Sequence, residues 1–303
     1  MGKLADLIPK LYSHFDGVPS SLLALFAMIA LATAFELMCI GWRESSLRNI
    51  LIYREGRGTD ILMALLYHFK LLLPLGILMS GGLIYVLLKQ IRVQLPHPLA
   101  WDLGHPVLST LVFLIVLDFF RYWWHRAFHN VKVLWVLHRY HHSAPAMNFL
   151  NTFRVHPLEG AIGQLWLMFP LLFFGAPAPQ VFAAQFLVSF HGLLCHSNIK
   201  SDWGWAGRWL VQSPAAHRIH HSTQESHYGK NLGSTLVVWD LLFGTFHWEK
   251  PEAVRAIVIG LDRQEVGQRP FRYVARVYLD FLIAVKTLAA NMFRQQMQFW
   301  RRT

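Results

Sequence analysis

Three histidine clusters at helical spacing constrain this chain more than any other feature. Residues 125–142 read HRAFHNVKVLWVLHRYHH and hold His125, His129, His138, His141 and His142; HRIHH follows with His217, His220 and His221. On a helix, residues three or four apart share a face. HxxxH therefore presents two imidazoles side by side, and HxxHH presents two or three. Neutral imidazole is a strong ligand for mid-row transition metals. These eight side chains exceed what one tetrahedral or octahedral ion can use. They suit two ions, each left with an open position.

Composition sets the solvent in which such a centre must be built. Of the 303 residues, 54% are hydrophobic and 15% charged, against about 25% charged in soluble domains. The chain reads as a single membrane-embedded unit. Its net charge of +11 is spread over loops flanking the apolar runs and over the C-terminal helix. That distribution faces lipid headgroups and gives no reason to invoke nucleic acid. The two cysteines, Cys39 and Cys195, form no CxxC, which excludes a cysteine zinc site and a ferredoxin-type cluster. The amphipathic start, MGKLADLIPKLYSHF, reads as an interfacial helix and not as a signal peptide.

Residues 21–42 are long and apolar enough to span a bilayer, which takes about 20 residues. Glu36 within them is either a functional acid inside the span or one that snorkels to the interface. A loop with Arg43, Arg48, Arg54 and Arg57 follows; by its positive charge it faces the cytoplasm. A second span lies within 60–88, with a kink expected at Pro74 and the Gly81-Gly82 pair. His97 and His105 each precede a proline and read as loop residues. A third span, 106–124, runs straight into DFFRYWWHRAFH. Trp123 and Trp124 suit an aromatic belt, which puts the first cluster just outside the hydrocarbon, on the cytoplasmic side. Asp118, two turns before His125 on the same face, either accepts a hydrogen bond from a ligand's other ring nitrogen or pairs with Arg121.

Ser143 and Pro145 close the helix of the second cluster. NTFRVHPLE then brings Arg154, His156 and Glu159. Glu159 is a candidate catalytic group. His156 either stands behind the ligands or near the substrate, or simply begins a helix before Pro157. The apolar runs 161–174 and 178–196 form a hairpin in the membrane, broken by GAPAP, whose second arm ends FHGLLCHSN. His196, at that same polar boundary, is read as a further ligand, and His191 as a candidate. Ser213 and Pro214 start a helix under the third cluster. Asp240, in WDLLFGT, is placed to orient a ligand; His227 is placed near the centre and His247 away from it. A last helix over about 271–299 mixes aromatic and basic residues and lies on the membrane. The fold expected is all-α and integral to the membrane. It has four to five transmembrane or re-entrant helices and a histidine-rich cytoplasmic helical cap around a dinuclear metal site. Membrane helices occupy 1–104, the catalytic part 105–250, and the interfacial helix 251–303.

DFFRYWWHRAFH, LHRYHHS, RVHPLE, HSN, HRIHHS and WDLLFGT together resemble the fatty acid hydroxylase superfamily, also called the sterol desaturase family, over roughly residues 105–247. That resemblance implies an integral membrane, non-haem di-iron oxidase that uses O2 and two electrons to hydroxylate or desaturate a lipid, hydroxylation being favoured. It implies His125, His129, His138, His141, His142, His196, His217, His220 and His221 as ligands of two iron ions, with zinc able to replace iron in purified protein. No stretch resembles a fused cytochrome b5 domain, so electrons are expected from a separate donor of the cytochrome b5, ferredoxin or reductase type. A bacterial cytoplasmic membrane is favoured, or the endoplasmic reticulum in a eukaryote. Sterol, fatty acyl, ceramide, ether-lipid and amino-acid-lipid substrates stay open. The rival readings are weaker. A metal transporter places its ligands near the midplane of its spans, and a metallohydrolase needs one three-ligand zinc site and carries an HExxH that is absent here.

Overall fold

In lipid, backbone N–H and C=O groups must be satisfied within the segment itself, and the apolar runs accordingly fold as helices. The computed structural model describes residues 18–52, 56–94, 103–174, 178–261 and 270–300; the N-terminal amphipathic stretch and His97 lie outside them. The helices are α1 (Val18–Glu44), α2 (Ser46–Ile52), α3 (Arg57–His68), α4 (Leu72–Met79), α5 (Leu83–Gln94), α6 (Pro106–Asn130) and α7 (Lys132–His142), then α8 (Pro157–Phe174), α9 (Ala178–His196), α10 (Gly204–Trp209), α11 (Pro214–His220), α12 (Val238–Leu242), α13 (Pro251–Ala256) and α14 (Pro270–Trp300). Among the described residues the only β pairing is two isolated bridges, Val211 with Leu236 and Ser222 with Ile259.

Among the described residues two helices are long and apolar enough to cross a membrane, the Leu25–Glu44 part of α1 and the whole of α6; α3 and α4, bent by 97°, qualify together as a third, broken span. The two apolar runs of the expected hairpin form the helices α8 and α9, which pack on α4 and α6 respectively. The break in the second span falls at Lys70, whose φ of 58° turns the chain, and not at Pro74. Pro74 sits in the first turn of α4, where a helix has no partner for its N–H groups and proline costs nothing. A second break, at Ser80–Gly82, separates α4 from α5. α4 can lie against α8 only because residue 76 is glycine: a Cβ there would come within 2.3 Å of Ala161 Cβ and 2.5 Å of the Pro157 carbonyl.

α6 and α7 are separated by the extended residue Val131, so the two histidine-bearing helices fold on one another. Phe128, Leu137, Tyr140, Leu158, Tyr273 and Val277 form the core beneath them. α14 thus closes the back of α7 with the start of its apolar face, and Arg139 pairs with Asp280 outside that seam.

Two buried acids fasten the membrane helices to the segments bearing the histidines. Glu36 neither snorkels nor faces a cavity. It is fully buried and accepts hydrogen bonds from Ser46 N, Ser46 Oγ and Asn198 N, each at 2.8 Å. Its carboxylate joins α1, the start of α2 and the turn after α9. Asp60 of α3 takes Arg154 Nε at 2.6 Å and the side-chain amides of Asn148 and Asn151 at 3.2 and 3.1 Å. Arg154, 1% exposed, also donates to Ser143 Oγ and the Gly56 carbonyl.

Removing one partner of such a buried pair leaves an uncompensated charge and costs about 3–5 kcal/mol. Arg154→Ala is therefore expected to lower the thermal midpoint of detergent-solubilised protein sharply. An unchanged midpoint would show that Asp60 finds its hydrogen bonds elsewhere.

Candidate metal centre

Four helices and the turns between them bring nine imidazoles together. His125 and His129 come from α6, His138, His141 and His142 from α7, His196 from the end of α9, and His217, His220 and His221 from α11 and its C-cap. α11 begins as the sequence indicates. Ser213 Oγ caps it by accepting from Ala216 N at 3.1 Å, with Pro214 at the first helical position.

The imidazoles divide into two sets. His125, His129, His138, His142 and His220 form one, and His141, His196, His217 and His221 the other; within each, one ligand atom per residue lies within 4.8 Å of all the others. The division follows from helical geometry. Residues i and i+4 stay on one face, so His125/His129 and His138/His142 go to the first set and His217/His221 to the second. Neighbours in sequence are about 100° apart on a helix of 3.6 residues per turn. Each His-His dipeptide therefore straddles the seam, His141 to one set and His142 to the other, His221 to one and His220 to the other. This places the two sets side by side, with the His142 and His221 rings 4.3 Å apart between centroids.

The nitrogens converge as they would around an ion. In the second set His196 Nε2 lies 3.2 Å from His141 Nε2 and 3.0 Å from His217 Nε2, which is 3.1 Å from His221 Nε2. In the first, His129 Nε2 and His142 Nε2 are 3.2 Å apart. Metal–nitrogen bonds of about 2.0–2.1 Å put neighbouring ligand atoms about 2.9–3.4 Å apart, so these edges fit a coordination polyhedron. His138 Nε2 and His220 Nε2 are buried with no hydrogen-bond partner, a costly state for a polar atom that a metal would relieve. The donor set suits a mid-row divalent ion and offers two such places.

Four of the opposite ring nitrogens are tied back. His125 Nδ1 donates to the Leu232 carbonyl at 2.8 Å, His220 Nδ1 to the Lys230 carbonyl at 3.0 Å and His196 Nδ1 to the Gly192 carbonyl at 2.8 Å. His138 Nδ1 donates to Glu159 Oε1 at 2.6 Å. Such bonds fix the tautomer with the Nε2 lone pair facing inward. Burial, and after it the charge that neighbouring imidazoles would carry, holds His138, His141, His142, His217, His220 and His221 well below the ordinary histidine range. They are neutral, as metal ligation requires.

Asp118 and Asp240 act at one remove. Asp118 touches no histidine and makes no direct pair with Arg121. It accepts from Thr235 N and Leu236 N at 2.9 Å and Trp239 Nε1 at 3.0 Å. Asp240 accepts from Leu232 N, Gly233 N and Thr245 Oγ1 at 2.6–2.8 Å. The two carboxylates clamp the loop that presents the Lys230 and Leu232 carbonyls. Those carbonyls carry no side-chain signature, and sequence reasoning did not find them.

His156 lies apart from both sets, its Nε2 on the Val274 carbonyl at 3.2 Å and its Nδ1 accepting from Leu158 N. It begins α8 and ties it to α14. His191 also lies outside both sets, with Nε2 2.8 Å from the Gln212 carbonyl and Cys195 Sγ beside it. His227 sits instead with His247 and Glu249 in a third, partly exposed group, where His247 Nε2 is 2.9 Å and His227 Nε2 3.5 Å from Glu249 Oε1. A cavity of about 460 Å³ opens onto His125 and His138 of the first set and His141, His196 and His217 of the second, walled by α6, α8 and α9.

The chain is similar in sequence to known lipid-modifying enzymes. An ornithine lipid hydroxylase of Rhizobium tropici is 34% identical over 156 residues, which is 50% of this chain and 46% of that protein. An alkylglycerol monooxygenase of Xenopus tropicalis is 28% identical over 199 residues, 65% of this chain and 42% of the relative. A Delta(7)-sterol-C5(6)-desaturase of Nicotiana tabacum is 29% identical over 143 residues, 46% of this chain and 49% of the relative. The chain thus spans less than half the length of these curated relatives. No solved structure matches it. Residues 110–245, which carry all nine converging histidines, match the fatty acid hydroxylase family model.

Proposed function

We propose that this chain is a membrane-bound, O2-dependent lipid hydroxylase that holds two iron ions. The observation that carries this reading is the pair of adjacent, largely buried imidazole sets opening onto one cavity. His125, His129, His138, His142 and His220 hold one ion, and His141, His196, His217 and His221 the other. Two ferrous ions so placed supply the reduction of O2 and the removal of hydrogen from an unactivated C–H bond. In net terms a C–H bond and O2, with two electrons and two protons, give an alcohol and water. The electrons come from a separate donor protein of the cytochrome b5, ferredoxin or reductase type. The names of the relatives include both hydroxylating and desaturating enzymes; hydroxylation is favoured because two of these three names are of oxygen-inserting enzymes.

The protein's own part is positional. Glu159 holds His138 in the ligating tautomer, and Asp240 and Asp118 fix the loop that orients His125 and His220. The cavity keeps bulk water from the centre and receives the lipid from the side. The histidines lie toward the ends of α6, α7 and α9 and not at the middle of a span, which argues against a transporter. Nine converging imidazoles also exceed the needs of a single hydrolytic zinc. The centre faces the cytoplasm, in a bacterial cytoplasmic membrane.

Purified without chelators or a nickel column, the chain is expected to carry close to two ions of iron or zinc by mass spectrometry. Zinc counts because nitrogen sites bind it more tightly than ferrous iron. His138→Ala and His217→Ala, one from each set, should each lose bound metal and lipid oxidation while still inserting in the membrane. Two ions retained in both variants would refute the ligand assignment. Glu159→Gln, which disturbs only the hydrogen bond behind His138, is expected to weaken metal affinity by about 10–100-fold. Competition with a chromogenic chelator measures this, and wild-type affinity in the variant would assign Glu159 to packing alone.

A further inference from the structure

The wall of the cavity holds a cation that the metal centre does not use. Arg121 lies one helical turn before His125 on α6 and lines the cavity together with Tyr67, Gln164, Gln185 and Ser234. Its Nε donates to Ser234 Oγ at 3.1 Å. Among the described residues neither of its Nη atoms has a protein acceptor, and no carboxylate lies within ion-pair distance of it. Asp118, the acid nearest in sequence, spends its oxygens on three N–H donors of residues 235–239. Apart from the imidazoles, the charged side chains of the cavity wall are Arg121 and Glu159, and Glu159 is engaged by His138. A guanidinium turned into a cavity with its fork of donors unmatched is suited to a planar or tetrahedral oxyanion.

We propose that Arg121 binds the anionic head, carboxylate or phosphate, of the lipid this chain oxidises, and so determines which lipids enter. The proposal rests on the oxidase reading and deepens it. One turn of α6, about 5.4 Å, separates Arg121 from His125. A head held on Arg121 puts the first few carbons of the chain at the metal centre and the remainder beyond reach. The neutral side chains of Gln164, Gln185, Ser189 and Tyr67 supply further hydrogen bonds around that head without competing for its charge.

The test uses the full chain in a non-ionic detergent and four probes: octyl phosphate, octanoate, octanol and inorganic phosphate, each titrated by calorimetry. Octyl phosphate and octanoate should bind wild-type protein at least about tenfold more tightly than octanol. Arg121→Gln should weaken the two anions by about 10–100-fold, the range of a hydrogen bond to a charged group, and leave octanol unchanged. Arg121→Lys, a point charge without the fork, should keep part of the preference. Equal binding of anionic and neutral probes by the wild type would overturn the proposal, and this comparison needs no variant to fold. An unchanged anion preference in Arg121→Gln would overturn it too, as would inorganic phosphate binding as tightly as octyl phosphate, which would mean a free anion site. Metal content is measured on the same samples. A chain that holds no metal yet prefers the anions keeps the head site and loses the oxidase reading. One that holds two ions and prefers none keeps the oxidase and loses Arg121.

Discussion

Everything in this structure depends on gathering nine imidazoles, eight of them buried, in neutral form around two common points. Burial disfavours the protonated form, and each imidazole that gained a proton would repel its neighbours. The cost of that arrangement is a set of buried nitrogens that bulk water cannot reach. His138 Nε2 and His220 Nε2 carry it openly, having no protein partner. No single helix could produce this convergence, since one face offers at most a residue every three or four positions. Four helices must meet, and the core of Phe128, Leu137, Tyr140, Leu158, Tyr273 and Val277 holds α6, α7, α8 and α14 in register beneath the meeting point.

The carboxylates of the catalytic region show how little of such a centre needs direct contact. Glu159 reaches a histidine with its own oxygen. Asp118 and Asp240 act through backbone, each gathering several N–H groups of the 232–239 loop and thereby aiming two carbonyls at His125 and His220. Charge-assisted bonds of this kind are roughly twice as strong as neutral ones. A loop pinned at both ends by them behaves as part of the rigid scaffold, although its sequence, KNLGSTL, reads as a flexible connection.

What could be read from the sequence was what helical periodicity encodes. The HxxxH and HxxHH spacings, the Ser213-Pro214 helix start and the apolar helix ending in His196 all depend on residues a few positions apart, and all appear in the fold. Asp240 as an orienting group and Glu159 beside the centre were legible as residues but not as contacts. The assignment of each histidine to one set or the other was not legible, because it depends on how α7 and α11 face each other across the seam. Lys230 and Leu232 were invisible because only their carbonyls matter. The second span is expected to kink at Pro74 and at the Gly81-Gly82 pair; it breaks at Ser80–Gly82 but runs helical through Pro74. The chain turns instead at Lys70, in a left-handed conformation that no residue type at that position announces. Glu36 reads as either a functional acid inside a span or one that snorkels to the interface; three donors from distant segments make it a clasp instead.

The buried polar groups of the fold therefore fall into two kinds, and the difference is hydrogen-bond accounting. Glu36, Asp60, Arg154 and Asp118 are saturated by protein donors or acceptors, so they fix helices and have nothing left to offer a ligand. Arg121 is held by one bond at Nε and otherwise faces the cavity. A buried polar group left unmatched destabilises the fold, so it persists either through chance or because something else completes it. The same reasoning identifies the inward-facing imidazole nitrogens as incomplete without metal. Applied to α6, it separates one helix into three uses within twelve residues: Asp118 closes the frame, Arg121 faces the cavity, and His125 and His129 face the metal centre. These residues are spaced three to four positions apart, so a single stripe of one helix passes from frame to cavity to metal centre, and a lipid lying along it would meet the last two in that order.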